Sequence, residues 1–134
     1  MKPRPFRDEA FLIYRGERRF ATDVRRMRME TMGFLGPSGT HSEAAALYLS
    51  EQLPEATRLR PYPDIFSAMQ AVADGETESA LVPVENSIEG AVNITLDTLA
   101  QSDDLQIERE LLWDVHHQLM ARCPAEEIRT IYSH

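Results

Sequence analysis

The sequence predicts an α/β fold in which helices flank a mainly parallel β-sheet. From residue 32 onward, short apolar segments alternate with segments of helical periodicity, an order typical of such sheets. The segment "ALVPV" at 80–84 is apolar throughout. A strand of this composition is buried on both faces, as the inner strands of a parallel sheet are. We therefore expect helices on both sides of the sheet.

Two helix starts are marked by capping residues. Thr40 is followed three residues later by Glu43, which fits a capping box and predicts that "HSEAAALYLSEQL" is helical. Asp64 is the predicted N-cap of a second helix over "IFSAMQAVADG", which ends at Gly75. The remaining predicted elements are strands at 32–36 and 57–63, a helix at 92–101, one or two strands within 105–122, a short helix opened by "CPAEE", and a strand in "IRTIYSH" at 128–134.

Composition and charge restrict the classes of function. With 43% apolar and 27% charged residues, the 134-residue chain has the composition of a folded, water-soluble domain. Residues 1–31 carry nine Lys/Arg and five Asp/Glu, a net charge of +4. Because the whole chain has a net charge of −8, residues 32–134 have a net charge of −12. An acidic body argues against nucleic acid as a partner, because phosphate contacts need clustered basic residues.

Cysteine usage and hydropathy point to a reducing, aqueous compartment. Cys123 is the single cysteine, so a disulfide framework and a thiolate metal cluster are excluded. No apolar run approaches the roughly 18 residues that a membrane helix needs, and the N-terminus lacks the apolar core of a secretory signal. We expect a cytoplasmic protein without a membrane partner.

Residues 1–31 differ from the rest of the chain. They contain two early prolines, many arginines and one short apolar cluster, Ala10–Tyr14. Three interpretations are open: a basic arm for an anionic partner, a poorly ordered extension, or a misassigned start with Met32 as the natural one. We favour the last two. The expected division is therefore a basic, poorly ordered or misassigned extension at 1–31 and a folded domain at 32–134.

The first motif that could bind a ligand is "GFLGPSGTHSEAA" at 33–45. A strand enters a glycine-rich turn and then a capped helix, whose first N–H groups, with Ser38, Thr40 and Ser42, can bind a carboxylate or a phosphate. The alternative is a tight turn in which Thr40 serves only as a cap. The spacing of a P-loop or of a dinucleotide-binding fingerprint is missing. His41, in the first helical turn, is better explained as a surface residue than as a base.

The second motif is "VENS", where a buried strand ends in three polar residues, Glu85, Asn86 and Ser87. In open α/β sheets, ligands bind at the carboxyl ends of the strands. The alternative is a turn in which Asn86 or Ser87 caps the next helix. His116 and His117 are adjacent, so in a strand they point to opposite faces and do not form a metal site together.

The motifs in combination resemble prephenate dehydratases. "GFLGPSGTHSEAA", "DIFSAMQAVADGETESALVPVENSIEGAVNITLDTL" and "IYSH" occur in this order, and the resemblance covers about Met32 to His134. It implies a two-subdomain α/β fold similar to type II periplasmic-binding proteins, with mainly parallel sheets and an active site in the cleft between subdomains. It also implies conversion of prephenate to phenylpyruvate, carbon dioxide and water in phenylalanine biosynthesis, without a metal or organic cofactor. Family members tend to form homo-oligomers.

The resemblance implies roles for particular residues. Asn86 and Ser87 would hydrogen-bond the substrate, and Glu85 would be an orienting or structural carboxylate. Thr40 and the Ser38–Gly39 backbone would line the wall that binds the substrate's carboxylates. Ser133, from "YSH", would border the same cleft.

Several parts of the family pattern do not occur in this sequence. These are the Thr-Arg-Phe motif with the presumed proton-donating threonine, the glutamine after "YSH", the return strands of the first subdomain and the phenylalanine-binding ACT domain. We therefore expect a truncated form with little activity alone. Two alternatives stay open: an arogenate dehydratase, which uses the same scaffold, and a non-catalytic binding module of the periplasmic-binding type.

Overall fold

The computed structural model describes residues 6–16, 29–86, 90–116 and 118–132. In chain order the elements are β1 (Phe6–Arg15), β2 (Glu30–Leu35), α1 (His41–Ser50), β3 (Thr57–Tyr62), α2 (Ile65–Ala73), β4 (Ser79–Asn86), β5 (Gly90–Ala91), α3 (Asn93–Gln101), β6 (Leu105–Val115) and a 3₁₀ turn (Ala125–Glu127). The strands form one sheet. Helix α1 packs on one face of the sheet, and α2 and α3 pack on the other.

The sheet is mixed rather than mainly parallel. Its strand order is β3-β2-β4-β1-β6, with β5 beside the end of β4. β2 is parallel to β3 and β4, whereas β1 is antiparallel to both β4 and β6, and β5 is antiparallel to β4. The predicted α/β class is confirmed, but the predicted parallel character holds only for the β3-β2-β4 half. The difference comes from β1, which the sequence analysis did not identify as a strand.

β1 lies inside the segment that was expected to be a poorly ordered or misassigned extension. Its residues Phe6–Arg15 form a ten-residue strand between β4 and β6, so this part of the segment is ordered. Leu12 and Ile13 are 0% exposed and belong to the cores on opposite faces of the sheet. The short apolar cluster in this segment is therefore the pattern of an inner strand that is covered on both sides.

Both predicted helix caps are confirmed. The Thr40 hydroxyl accepts a hydrogen bond from the Glu43 N–H at 3.4 Å and donates one to the Pro37 carbonyl at 3.0 Å. Asp64 accepts from the Ser67 N–H at 2.7 Å and from the Ser67 hydroxyl at 2.8 Å. These bonds stabilise the carboxylate and lower the pKa of Asp64. Capping residues thus fix where α1 and α2 begin.

The chain after β6 contains little regular structure in its described part. β6 itself confirms the strand predicted within 105–122, and "CPAEE" forms the 3₁₀ turn. The strand predicted at 128–134 is wrong for 128–132, which pair with no strand, while 133–134 lie outside the described residues. Tyr132 is 93% exposed. β-propensity without a neighbouring strand and a buried face does not produce a strand.

Replacement of Leu12 tests whether β1 belongs to the core. Leu12→Ala should lower the free energy of unfolding by about 2–5 kcal/mol, because it removes a fully buried side chain from the core beneath α1. Arg15→Ala, in the same strand but at an exposed position, is the matched control and should change it by less than about 0.5 kcal/mol. Urea unfolding measures both. Equal, small effects would show that β1 is not packed in the sheet.

Candidate ligand site at the carboxyl edge of the sheet

The two sequence motifs lie at the same edge of the sheet, because β2 and β4 are adjacent and parallel. Phe34 of β2 pairs with Leu81 of β4, and β2 ends one residue later. β4 continues to Asn86 and so extends beyond the turn that leads from β2 into α1. The glycine-rich turn and the polar end of β4 therefore flank one region at the carboxyl ends of parallel strands, where α/β sheets place ligands.

The glycine-rich turn uses its own hydrogen-bond donors. Gly39 has φ of +89°, a conformation that favours glycine. Its N–H donates to Oε2 of Glu43 at 2.6 Å, one residue earlier than the N-cap amide that a capping box would engage. The Glu43 carboxylate thus occupies a backbone donor that was predicted to bind a ligand carboxylate. A ligand anion at Gly39 has to displace it.

The polar end of β4 belongs to a short hairpin. Glu85 pairs with Ala91 and Asn86 with Gly90, which has φ of +83°. The connection at 87–89, including Ser87, lies outside the described residues. Helix α3 has Val92 at its N-cap position without a side-chain capping bond, so the alternative that Asn86 caps the next helix is wrong. Glu85 is exposed, and Asn86 is partly buried.

β1 adds two carboxylates to this edge. Asp8 lies directly across from Asn86, and Glu9 lies across from Glu85. The pKa of Glu9 is raised, first by partial burial and then by the charges of Glu110 and Glu85, and its hydrogen bond with the Glu110 side chain acts in the same direction. The sequence alone does not indicate Asp8 and Glu9, because they precede the single apolar cluster of a segment that was expected to be a poorly ordered or misassigned extension.

A small cavity of about 50 Å³ lies between the start of α1 and strands β4, β1 and β6. Its lining residues are Asp8, Glu9, Ala10, His41, Ser42, Ala45, Leu81, Pro83 and Trp113. Pockets for small molecules typically measure roughly 300–1,000 Å³, so this cavity is only part of such a site. Of the residues named for the first motif, Ser42 lines the cavity directly. The other predicted residues border it through their neighbours, since His41 follows Thr40 and Pro83 lies two residues before Glu85.

Trp113, one of the residues that line this cavity, carries a buried donor that the sequence did not indicate. Nε1 of Trp113 is buried and has no hydrogen-bond partner in the part of the chain that the structure describes. Trp113 comes from β6 and lies directly across from Asp8 of β1. A buried N–H gains most from a ligand or water oxygen when no protein acceptor is within reach. Trp113 was interpreted from the sequence only as a packing residue.

Two classes of feature are not found in the described ranges. Within residues 6–16, 29–86, 90–116 and 118–132, no three His, Cys, Asp or Glu side chains are grouped as a metal site. Across the same ranges, every helix is too short or too polar to cross a bilayer.

Residues 32–134 match the family model for prephenate dehydratase. The chain belongs to the prephenate dehydratase family. It is 41% identical over 106 residues to a prephenate dehydratase of Amycolatopsis methanolica, which is 79% of this chain and 34% of that protein. It is 35% identical over 113 residues to one of Mycobacterium leprae, covering 78% of this chain and 35% of that protein. The chain therefore spans about a third of the length of the curated relatives that it matches.

Family membership accounts for both motifs, but β1 lies outside the matched range. The glycine-rich turn and the "VENS" segment fall within 32–134, as do β3 to β6 and all of β2 except its first two residues. The strand that pairs with both β4 and β6 does not. Asp8 and Glu9 therefore bring two carboxylates to the site from outside the range that the family model covers.

The carboxylate cluster predicts a pH-dependent stability. The pKa of Glu9 is raised on folding. The contribution of Glu9 to the stability of the fold is therefore full below its pKa in the unfolded chain and is lost as the pH rises through its pKa in the folded chain. At neutral pH, Glu9→Gln should therefore be more stable than the wild type, by about 0.2–1 kcal/mol for relief of like charges across a strand pair. This advantage should shrink as the pH falls through the raised pKa of Glu9, because the wild-type carboxyl is then protonated and uncharged like the glutamine.

Urea unfolding at neutral and acidic pH measures this difference. Glu126→Gln, the same change at an exposed position in the 3₁₀ turn, is the control and should change the free energy of unfolding by less than about 0.5 kcal/mol. A Glu9→Gln variant that is less stable than the wild type at neutral pH would contradict the account.

Proposed function

We propose that this chain forms one wall of a prephenate-binding site and takes part in the conversion of prephenate to phenylpyruvate, carbon dioxide and water. The observation that carries the proposal is the position of the two family motifs at one edge of the sheet, on adjacent parallel strands. The relatives that the chain matches are named prephenate dehydratases, which supports the proposal. The reaction is driven by aromatisation of the ring, so the protein has to bind, orient and supply a proton to the leaving hydroxide.

The proposed contacts follow from the donors at this edge. Asn86 and Ser87 donate hydrogen bonds to the substrate, and Glu85 orients the amide or the neighbouring backbone. One substrate carboxylate replaces the Glu43 carboxylate at the Gly39 N–H, at the positive end of the α1 dipole. This exchange of one carboxylate for another conserves the hydrogen bond.

Three further residues have more limited roles in the proposal. Thr40 keeps its capping bonds to Pro37 and Glu43 and thereby holds the shape of the wall. The Ser38 hydroxyl and backbone lie in the same turn, next to Gly39. Ser133, which lies outside the described residues, completes the border of the site.

We further propose a two-subdomain architecture similar to type II periplasmic-binding proteins, in which the described sheet is one subdomain. The support is the size of the cavity, about 50 Å³, which is too small for a six-membered ring with two carboxylates. The opposite wall then comes from residues outside the described part. In this proposal the family's catalytic domain corresponds to the residues from about Met32 onward, where the family match begins, and β1 is added to its sheet. The protein is cytoplasmic, as its cysteine usage indicates, and homo-oligomeric, as the resemblance implies.

Binding of prephenate and of arogenate tests the proposed function. By isothermal titration calorimetry, the chain should bind at least one of the two compounds, and Asn86→Ala should weaken that binding about 10–100-fold, the effect of losing a hydrogen bond to a charged group. Asn93→Ala, the same change at an exposed position in α3, should not. The preferred compound distinguishes a prephenate from an arogenate site.

Phenylpyruvate formation, followed in parallel, separates a catalytic from a binding role. Turnover supports the dehydratase. Binding without turnover is the result expected both of a dehydratase form with little activity alone and of a non-catalytic module, and it supports a binding role for this chain. Failure of the wild-type chain to bind either compound would contradict the proposed function.

A further inference from the structure

β1 lies between β4 and β6 and pairs with both of them. It pairs with β4 from Asp8↔Asn86 to Tyr14↔Ser79, and with β6 from Phe6↔Val115 to Arg15↔Leu105. In the described ranges, β6 pairs with no strand other than β1. β6 lies within the family match and β1 lies outside it. Among the described residues, a family-matched strand is thus joined to its sheet only through an N-terminal segment that the match does not include.

We propose that the slot between β4 and β6 is a binding site for one extended polypeptide strand, that Phe6–Arg15 is its tethered occupant, and that the site accepts the same strand when it is supplied by a separate molecule. This kind of recognition, strand addition to sheet edges, combines backbone hydrogen bonds with pockets for alternate side chains. The inference does not rest on the proposed prephenate site.

The backbone pairing fits one register. On the β4 side the pairing shifts between Glu9 and Ala10, and on the β6 side it shifts between Leu12 and Ile13. Each shift marks a bulge or irregularity, so the two edges of β1 follow differently shaped neighbours. A strand that slipped by one residue would lose the match at both bulges and would reverse the faces of its side chains.

The side chains of β1 enter both cores of the protein. Ala10, Leu12 and Tyr14 pack with α1, and Ile13 packs with α2 on the opposite face. All four are buried, and Leu12 and Ile13 are completely so. The occupant of the slot therefore needs apolar side chains at successive positions, a requirement that the polar N-terminal flank of the strand does not meet.

The segment that links β1 to β2 is longer than the distance between these strands requires, so it does not by itself determine where β1 lies. Tyr14 is opposite Ser79, and Ser79 is opposite Met32, so the end of β1 and the start of β2 are two strand spacings apart, about 10 Å. The twelve residues at 17–28 can span up to about 40 Å. We infer that the contacts of β1, and not its tether, hold it in the slot.

Cleavage of the tether in the intact chain tests the proposal. A recognition sequence for a site-specific protease is placed within 17–28, and the folded protein is cut. The two fragments should co-migrate in gel filtration and give the mass of the complex in native mass spectrometry, and they should separate in denaturant. An isotopically labelled peptide with the sequence of residues 4–16 should then replace the bound fragment over hours to days.

Variant peptides test whether the slot between β4 and β6 selects its strand by the buried side chains. The Leu12→Ala peptide should compete at least about 30-fold less well than the unmodified one, because it removes a fully buried side chain. The Arg15→Ala peptide, changed at an exposed position, should compete within about threefold of it.

Four results would overturn the proposal. They are separation of the fragments while the larger one stays folded, aggregation of the larger fragment on cleavage, co-migration without any peptide exchange, and equal competition by the two variant peptides. In the first case, a direct parallel pairing of β4 with β6 would be the expected replacement, since both strands run in the same direction.

Discussion

The pairing of β1 with both β4 and β6 is the constraint on which the rest of the structure depends. Strands β2, β3 and β4 form a parallel unit with local connections, but β6 reaches the sheet only through β1 in the described residues. The same strand supplies fully buried side chains, Leu12 and Ile13, to the cores on both faces. Loss of β1 would therefore remove the contact between β6 and the sheet and open both cores at once.

The same constraint determines the electrostatics of the candidate site. Because β1 runs antiparallel to β4, its N-terminal residues Asp8 and Glu9 are opposite Asn86 and Glu85. On the other side of the site, Glu43 binds the Gly39 N–H. The edge thus combines a helix N-terminus and amide donors with several carboxylates of its own. A dianionic ligand gains from the donors only after these carboxylates are displaced or protonated, which links ligand binding to the pKa of Glu9.

Local signals were sufficient for much of the α/β framework. Thr40 and Asp64 identify the starts of α1 and α2 because a capping bond involves residues only three apart. The family motifs identify the carboxyl edge because β2 and β4 are inner, parallel strands with uniform apolar patterns. The role of β1 could not be recognised in this way, since its apolar cluster lies in an otherwise charged segment and its partners are about 70 and 100 residues away in sequence. Asp8, Glu9 and Trp113 were missed for the same reason: their contacts exist only after β1 is inserted.

Hydrogen exchange, followed by mass spectrometry on the intact chain, tests the central role of β1 most directly. The structure predicts that the amides of residues 6–15 are protected as strongly as those of β4, because both strands open only when the sheet unfolds. Residues 105–115 of β6 should share this protection. Rapid exchange of 6–15 alongside full protection of 79–86 would contradict the account, since the sheet would then be stable without its β1 strand.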